Sequence, residues 1–278
     1  MTISPALSAE PSPIDRLIQI MVQLRDPENG CPWDREQTFE TIAPYTIEEA
    51  YEVAETIKDG DMEEFQNELG DLLFQVVFYA QIASEKKLFN FNDIVNSISD
   101  KMVTRHPHVF GTDDIEDAEA QNVAWEATKA AEREAKARAK NREPSVLDDV
   151  TAGFPALMRA QKLQKRATRI GFDWPDVSGA LEKLEEEVAE LNYEVQNGAD
   201  KDRVNAEFGD VMFSLVNIGR HYGLDVEDSL RRTNTSFETR FRLMEALAKA
   251  KHGDTDKATL EELEALWQKA KAELSGQS

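Results

Sequence analysis

One acidic segment occurs twice in this chain, and the repetition limits the folds that the chain can adopt. The first copy has Glu-Glu-Ala-Tyr-Glu at 48–52 and Glu-Leu-Gly-Asp at 68–71. The second has Glu-Glu-Val-Ala-Glu at 186–190 and Glu-Phe-Gly-Asp at 207–210. The gap between the two parts is the same in both copies to within one residue. An internal repeat of this kind indicates a structural unit that is used twice.

The spacing of the acids predicts helices. Residues three or four apart lie on one face of an α-helix, so each part of the segment presents its carboxylates on one side. Between the parts stand turn residues, Lys-Asp-Gly-Asp at 58–61 and Asn-Gly-Ala-Asp at 197–200. Each copy is therefore predicted to form an antiparallel helical hairpin whose carboxylates converge.

The apolar residues that follow each Gly-Asp pair indicate what the converging acids do. Residues 69–82 are apolar nearly all round, which is typical of a buried helix, and buried acids need partners. Two carboxylates about 5 Å apart repel by about 3 kcal/mol at an effective dielectric constant of 20. Oxygen ligands suit Mg²⁺, with Mn²⁺ as a possible substitute. The predicted metal ligands are Glu49, Glu52, Glu68 and Asp71 in the first copy, and Glu187, Glu190, Glu207 and Asp210 in the second.

Cations follow each acidic segment at similar positions. Lys101 and Arg105 lie one helical turn apart and suit phosphate oxygens, although an exposed pair of cations is also an ordinary surface feature. Alignment of the two halves on their acids places Ser236 and Arg240 opposite them. The second half therefore lacks the lysine, and Lys183 is a candidate to compensate for it.

Composition excludes several classes of partner. The chain of 278 residues has 54 acidic and 32 basic side chains, a net charge of −22, which argues against nucleic acid or an anionic membrane. Cys31 is the only cysteine, so no intrachain disulfide can form, which suits a reducing cytoplasm. The N-terminus lacks a secretory signal, and no stretch of 18 uncharged apolar residues occurs. We therefore expect a cytoplasmic protein.

The pattern along the chain is helical throughout, and we expect an all-α protein with two domains. Period-2 alternation is not convincing anywhere. An irregular loop is predicted at 26–34, and Thr46 with Glu49 is predicted to start the first acidic helix as a capping box. The predicted domains are a flexible tail (1–13), an N-terminal domain (14–112), a charged helical connector (113–150) and a C-terminal domain (151–278).

Longer runs of sequence carry a family resemblance. They are DPENGCPWD at 26–34, TIAPYT at 41–46, ELGDLLFQVVF at 68–78, RHPHVF at 105–110 and LMRAQK at 157–162. With these runs the chain resembles the MazG family of nucleoside triphosphate pyrophosphohydrolases, in its two-domain bacterial form. The resemblance covers nearly the whole chain. It implies two tandem helical bundles related to dimeric dUTPases, a homodimer, and Mg²⁺-dependent hydrolysis of NTP and dNTP to NMP and pyrophosphate.

The resemblance also implies roles for individual residues. The four acids of each copy would bind Mg²⁺, and Ser236 stands where family members usually carry a lysine. On this basis Glu186 or Glu48 is expected to orient the attacking water as a general base. The residues expected at the nucleotide are Lys183, Arg240 and Trp267 in the C-terminal domain, and Lys101 and Arg105 in the N-terminal domain.

Three alternatives stay open at this point. The chain is a non-catalytic helical interaction module, or only one of its two domains is active, or it is a ferritin-like di-iron bundle. The di-iron bundle needs two Glu-x-x-His pairs, and neither half has a histidine three residues after a motif glutamate. Release of pyrophosphate rather than orthophosphate from mixed NTPs distinguishes the pyrophosphohydrolase from the interaction module.

Overall fold

The computed structural model describes residues 11–112 and 117–275, and within them every regular element is a helix. No strand occurs in these two ranges, so the predicted all-α class is confirmed. Most of the predicted tail (1–13) lies outside the described residues. None of the described helices is both long enough and apolar enough to cross a membrane.

The helices follow one another with short connections. In chain order they are α1 (Pro13–Leu24), α2 (Pro32–Glu36), α3 (Phe39–Asp59), α4 (Met62–Glu85), α5 (Phe91–Arg105), α6 (Pro107–Phe110), α7 (Ala118–Ala139), α8 (Ala156–Ala167), α9 (Val177–Gln196), α10 (Lys201–His221), α11 (Val226–His252) and α12 (Leu260–Ser275). Single 3₁₀ turns lie at Thr168–Ile170 and Thr255–Lys257.

Two compact units make up the chain, residues 1–125 and 126–278, and the division falls within α7. It therefore lies inside the stretch 113–150 that the sequence assigned to a connector. The predicted domain boundaries themselves stay a prediction.

Each unit contains one of the two acidic hairpins, α3 with α4 and α9 with α10. The turn between α3 and α4 is made by Gly60, whose φ of +74° lies in the left-handed region that glycine tolerates. The next helix begins at once, because Asp61 accepts hydrogen bonds from the backbone N–H groups of Glu63 and Glu64. Asp200 caps α10 in the same way. The turn chemistry read from the sequence therefore produces both hairpins.

The start of the first acidic helix differs from its prediction. Helix α3 begins at Phe39, and its capping box is formed by Thr38 and Thr41. Pro44 lies inside the helix, where its missing N–H removes only a bond near the N-terminal end. Thr46 is therefore an interior residue, and its hydroxyl donates to the carbonyl of Ile42 at 3.3 Å. The predicted irregular loop at 26–34 also ends early, because α2 begins at Pro32.

The prediction that residues 69–82 are buried all round is wrong for the single chain. The C-terminal half of α4 is buried, and Val77, Phe78 and Ile82 form the core of the first unit with Met21 and Ile42. The N-terminal half is not covered: Leu69 is 43% exposed and Leu73 40% exposed. The acids of α4 lie in this uncovered half.

The guanidinium of Arg25, at the end of α1, connects three helices of the first unit. Its Nε and Nη2 donate to the two carboxylate oxygens of Glu85 on α4, at 2.8 and 2.7 Å. Its Nη1 donates to the carbonyls of Asp34 and Gln37 beside α2. The guanidinium also lies 5.4 Å from the centre of the Phe78 ring. The hydrogen bonds from Arg25, and after them that from Gln81, lower the pKa of the Glu85 carboxyl.

Replacement of Arg25 is expected to destabilise the first unit. The Arg25 side chain is only 7% exposed, and Arg25→Met removes its hydrogen bonds to two carbonyls and to the Glu85 carboxylate. We expect a loss of about 2–3 kcal/mol, below the roughly 3–5 kcal/mol of a fully buried pair because Glu85 is 36% exposed. Hydrogen exchange followed by mass spectrometry should then show α1 and α4 amides exchanging about 30–150-fold faster at neutral pH.

The matched control is Arg138→Met, which breaks the exposed pair with Glu134 and should cost less than about 0.5 kcal/mol. The pKa of Glu85 in the folded chain lies below its ordinary value of 4.5, so its contribution is present above that pH and is lost as the pH falls further. The difference between wild type and Arg25→Met should therefore shrink below pH 4.5. Equal exchange in the two chains at pH 7 would contradict the role given to Arg25.

Candidate metal centres and an adjoining cavity

The hairpin of the first unit brings three of its predicted ligands together. Glu49 on α3 and Glu68 and Asp71 on α4 each offer a carboxylate oxygen, and these oxygens lie within 4.8 Å of one another. Glu52 is exposed and lies outside this group of three, but its charge acts on the carboxyls of Glu49 and Glu68. We call these four residues the first acidic cluster.

The hairpin of the second unit repeats the arrangement. Carboxylate oxygens of Glu187 and Glu190 on α9 and Glu207 on α10 also lie within 4.8 Å of one another. Asp210 is outside this group of three, but its charge acts on Glu207. These four residues form the second acidic cluster.

Burial of the acids is less complete than the sequence predicted. Glu187 is 7% exposed and is the one buried member of the eight. Glu49, Glu68 and Glu207 are half-buried, and the other four are exposed: Glu52, Asp71, Glu190 and Asp210. The physical reason is that the apolar residues around them, such as Leu69 and Phe208, are themselves uncovered in the single chain.

Burial and the crowding of like charges raise the pKa of acids in both clusters. Burial, then the charges of Asp71 and Glu52, raise the pKa of the Glu49 carboxyl. The pKa of Glu68 is raised by burial and by Glu52. The pKa of Glu207 is raised by burial and then by Glu190 and Asp210. A carboxylate whose charged form is disfavoured gains from a cation among its neighbours.

The donor set fits a divalent cation. All the converging atoms are carboxylate oxygens, the ligands that hard cations such as Mg²⁺, Mn²⁺ and Ca²⁺ take. The second cluster also contains an internal cation, because Nζ of Lys183 donates to Glu187 at 2.7 Å and to Glu186 at 3.0 Å. These hydrogen bonds raise the pKa of the Lys183 ammonium. A bound cation would compete with Lys183 for Glu187 and leave the ammonium free to meet another anion.

A cavity of about 370 Å³ adjoins the second acidic cluster. Glu187 and Asp210 both lie in its wall, and most of the rest is apolar. Gly179 allows the indole of Trp174 to pack directly against α9, since a β-carbon at position 179 would lie 1.8 Å from Cδ1 of the indole. The other lining residues include Leu163, Phe172, Ala180, Lys183 and Phe213.

Two buried amides provide polar contacts in this cavity, and the sequence reasoning missed both. Nε2 of Gln164 donates to the carbonyl of Phe213 at 2.8 Å, and its buried Oε1 has no partner among the described residues. Oδ1 of Asn217 accepts hydrogen bonds from Nε and Nη2 of Arg220 at 3.0 and 2.7 Å. Arg220 is fixed in turn by Asp173, two of whose oxygens it contacts. The signal in the sequence for this region is a repeated Gly-x-x-Trp spacing, Gly-Cys-Pro-Trp at 30–33 and Gly-Phe-Asp-Trp at 171–174, just before α9.

The remaining predicted residues lie elsewhere on their units. Arg240 and Trp267 line a separate groove of about 310 Å³ together with Ser236 and Phe237. This groove shares no lining residue with the cavity beside Glu187 and Asp210. Three further candidates are Glu48, exposed on α3, and Lys101 and Arg105, exposed and half-buried on α5.

Comparison with known proteins shows relatives along most of the chain. A family model described as the MazG nucleotide pyrophosphohydrolase domain matches residues 37–110. A nucleoside triphosphate pyrophosphohydrolase of Escherichia coli K12 is 48% identical over 93% of this chain and 97% of its own. The "nucleoside triphosphate pyrophosphohydrolase/pyrophosphatase MazG" of Thermotoga maritima is 39% identical over 92% and 95%. The uncharacterised protein YabN of Bacillus subtilis is 42% identical over 91% and 50%.

Neutralising one acid should have opposite effects with and without a cation. Without a cation, Glu68→Gln removes a repelling charge, and we expect a higher melting temperature than wild type. With Mn²⁺ at about 100 times its Kd, wild type should gain roughly 5–10 °C, and the variant less. Differential scanning fluorimetry measures both shifts. The control Glu134→Gln on α7 should change neither, and a lower metal-free melting temperature for Glu68→Gln would contradict the crowding of the first acidic cluster.

Proposed function

The chain belongs to the MazG family of nucleotide pyrophosphohydrolases, and we propose that it hydrolyses nucleoside triphosphates to nucleoside monophosphate and pyrophosphate at the second acidic cluster. The observation that carries the proposal is that Glu187 and Asp210 both lie in the wall of the 370 Å³ cavity. Glu187 is one of the three converging ligands and Asp210 is the fourth acid of the second cluster, and both line a cavity large enough for a nucleoside. A triphosphate extending from that cavity reaches the acids directly.

The four acids of the second cluster would hold Mg²⁺. An ion held there would supply charge to neutralise the triphosphate and would lower the pKa of a nearby water. Glu187 would exchange the ammonium of Lys183 for the ion, because the two compete for the same carboxylate. Lys183, freed in this way, is placed to donate to a phosphate oxygen as a point charge.

Glu186 is the proposed general base of this site. It lies next to Glu187 in sequence, outside the group of converging ligands, and Lys183 Nζ holds it at 3.0 Å. Its carboxylate would accept the proton of the attacking water as the α–β phosphoanhydride bond breaks. Glu48 occupies the same position beside Glu49 in the first unit.

The cavity is the proposed place of the nucleoside. Trp174 and Phe213 offer aromatic surface to a base, and such contacts favour offset or edge-to-face ring geometry. Gln164 Oε1 offers a buried acceptor to a base N–H, since its amide nitrogen is already engaged by Phe213. Arg240 and Trp267 would contact the nucleotide from their own groove, as the resemblance implies.

We further propose that the protein is a cytoplasmic homodimer without a nucleic-acid partner. Its net charge of −22 disfavours polyanions other than those bridged by a metal. Large apolar side chains beside the acidic hairpins are exposed in the single chain, among them Leu73, Phe213 and Leu215. Exposed apolar surface of this kind is typical of protein–protein interfaces.

Loss of a single acid of the second cluster should stop the reaction. In the full chain, Glu187→Gln and Asp210→Asn should each lower pyrophosphate release from mixed NTPs by more than about 100-fold. Mutation of a residue that only hydrogen-bonds to a metal ligand already lowers metal affinity or activity about 10–100-fold, so loss of a ligand itself should lower activity further. Asp210→Asn should not lower the melting temperature, since it removes a charge that acts on Glu207. Glu187→Gln also breaks the ion pair with Lys183, so turnover is measured well below the melting temperature of that variant. The matched pair Glu49→Gln and Asp71→Asn in the first unit should keep most of the turnover. Retained turnover in both second-unit variants would refute the assignment.

Light scattering tests the homodimer. We expect a mass about twice the 31.4 kDa of the chain at micromolar concentration. Leu215→Asp places a charge on an exposed apolar position of α10 and should shift the protein toward the monomer. Lys136→Asp on α7 is a control that should not change the mass. A wild-type mass of 31.4 kDa would contradict the dimer.

A further inference from the structure

Residues that line the nucleoside-sized cavity of the second unit are replaced by different residue types at the aligned positions of the first. Alignment of the two halves on the acids of α4 and α10 places Phe78 opposite Asn217, and Gln75 opposite Ser214. Alignment on the Gly-x-x-Trp sequence places Trp33 opposite Trp174. Asn217, one of the two buried amides of the second unit, is therefore matched by a phenylalanine in the first.

The Phe78 ring fills the corresponding region of the first unit. Phe78 is 1% exposed, and its ring stands edge-to-face to Trp33 at 6.5 Å and to Phe74 at 6.0 Å. The guanidinium of Arg25 closes on the ring at 5.4 Å. A side chain packed on all sides in this way leaves no room for a base and offers it no hydrogen bond.

The first acidic cluster nevertheless keeps its metal-type geometry, and a buried amide points to a ligand there. Gln75 is 7% exposed, and its Nε2 donates to Oε1 of Glu49 at 3.3 Å. Its own Oε1 is buried and has no partner among the described residues. Such an unpaired acceptor is costly, and a hydrated cation held by Glu49 would supply the missing O–H donor.

We propose that the first unit binds a metal-complexed phosphate chain without reading a base, so that inorganic triphosphate binds there as well as a nucleotide does. The inference rests on the proposed function for its metal–phosphate chemistry, and it extends that chemistry to a ligand class that needs no nucleoside. Lys101 and Arg105, one turn apart on the helix that follows the hairpin, are the cations suited to the phosphates.

Two aromatic side chains of the first unit favour the opposite result, a preference for nucleotides over inorganic triphosphate. Trp33 and Tyr45 are partly exposed, with ring centres 5.9 Å apart, and offer an outer surface on which a base can stack. If that surface contributes to binding, ATP binds the first unit more tightly than inorganic triphosphate does. A ligand held only through its phosphates shows no such preference.

The test uses the full chain with the second cluster disabled by Glu187→Gln and Asp210→Asn. Isothermal titration with tripolyphosphate, ATP and CTP in the presence of Mn²⁺ should give three Kd values within about threefold of one another. Adding Glu68→Gln should weaken all three by more than about tenfold. Absence of tripolyphosphate binding by a chain that melts normally would overturn the proposal. A preference of more than about threefold for ATP or CTP would overturn it as well.

A converse variant tests whether a phenylalanine at position 217, which aligns with Phe78, removes the preference of the second unit for a nucleoside. In a chain whose first cluster is disabled by Glu68→Gln and Asp71→Asn, Asn217→Phe should abolish the preference for ATP over tripolyphosphate. Tripolyphosphate itself should bind within about threefold of its former Kd. A preference for ATP that survives Asn217→Phe would contradict the reasoning from Phe78. The two proposals fail separately: the proposed function fails if wild type releases no pyrophosphate from NTPs, and the present one fails on these binding ratios.

Discussion

Repulsion between carboxylates is the interaction on which the design of both units depends. In each hairpin three carboxylate oxygens from two helices lie within 4.8 Å of one another. Burial, and after it the charges of the neighbouring acids, raises the pKa of Glu49, Glu68 and Glu207. This arrangement costs stability in the absence of a cation, since it opposes the packing that holds the hairpin together. The short turns after α3 and α9 keep the two helices of each hairpin adjacent, so the positions that carry the acids stay close together while the helix–helix contact lasts.

The two copies relieve this repulsion in different ways. In the second cluster the ammonium of Lys183 is a built-in counter-ion for Glu187, the one buried acid. Alignment on the acids places Tyr45 opposite Lys183, so the first cluster has no ammonium at that position and instead has the neutral amide of Gln75 beside Glu49. An amide donates a hydrogen bond but does not cancel a charge. The first cluster therefore depends more on an external cation, whereas the second must release an internal one.

The sequence was sufficient to predict the features that depend on neighbouring residues, such as turns, helix caps and the spacing of the acids. Helix α10 (Lys201–His221) begins directly after the turn predicted at 197–200, because Asp200 caps it. The acids were found because a repeat with helical spacing is visible without a structure. Thr46 was misread because Thr38 and Thr41 form the better capping box and Pro44 is tolerated so near the helix start. Gln164, Asn217 and Gln75 were missed for a different reason. A buried amide on a helix leaves no periodic pattern, and its importance depends on which side chains meet it from other helices.

The uncovered apolar surface and the acids occupy the same ends of α4 and α10. Leu69 and Leu73 flank the acids of the first cluster, and Phe208 and Phe213 those of the second, all of them substantially exposed in the single chain. Burial of this surface in the proposed homodimer would exclude water from around the carboxylates and lower the local dielectric constant. Both the repulsion among the acids and their attraction for a cation grow as that constant falls. Assembly and metal binding would therefore be thermodynamically linked, since a dimer without a cation has to bury uncompensated charge.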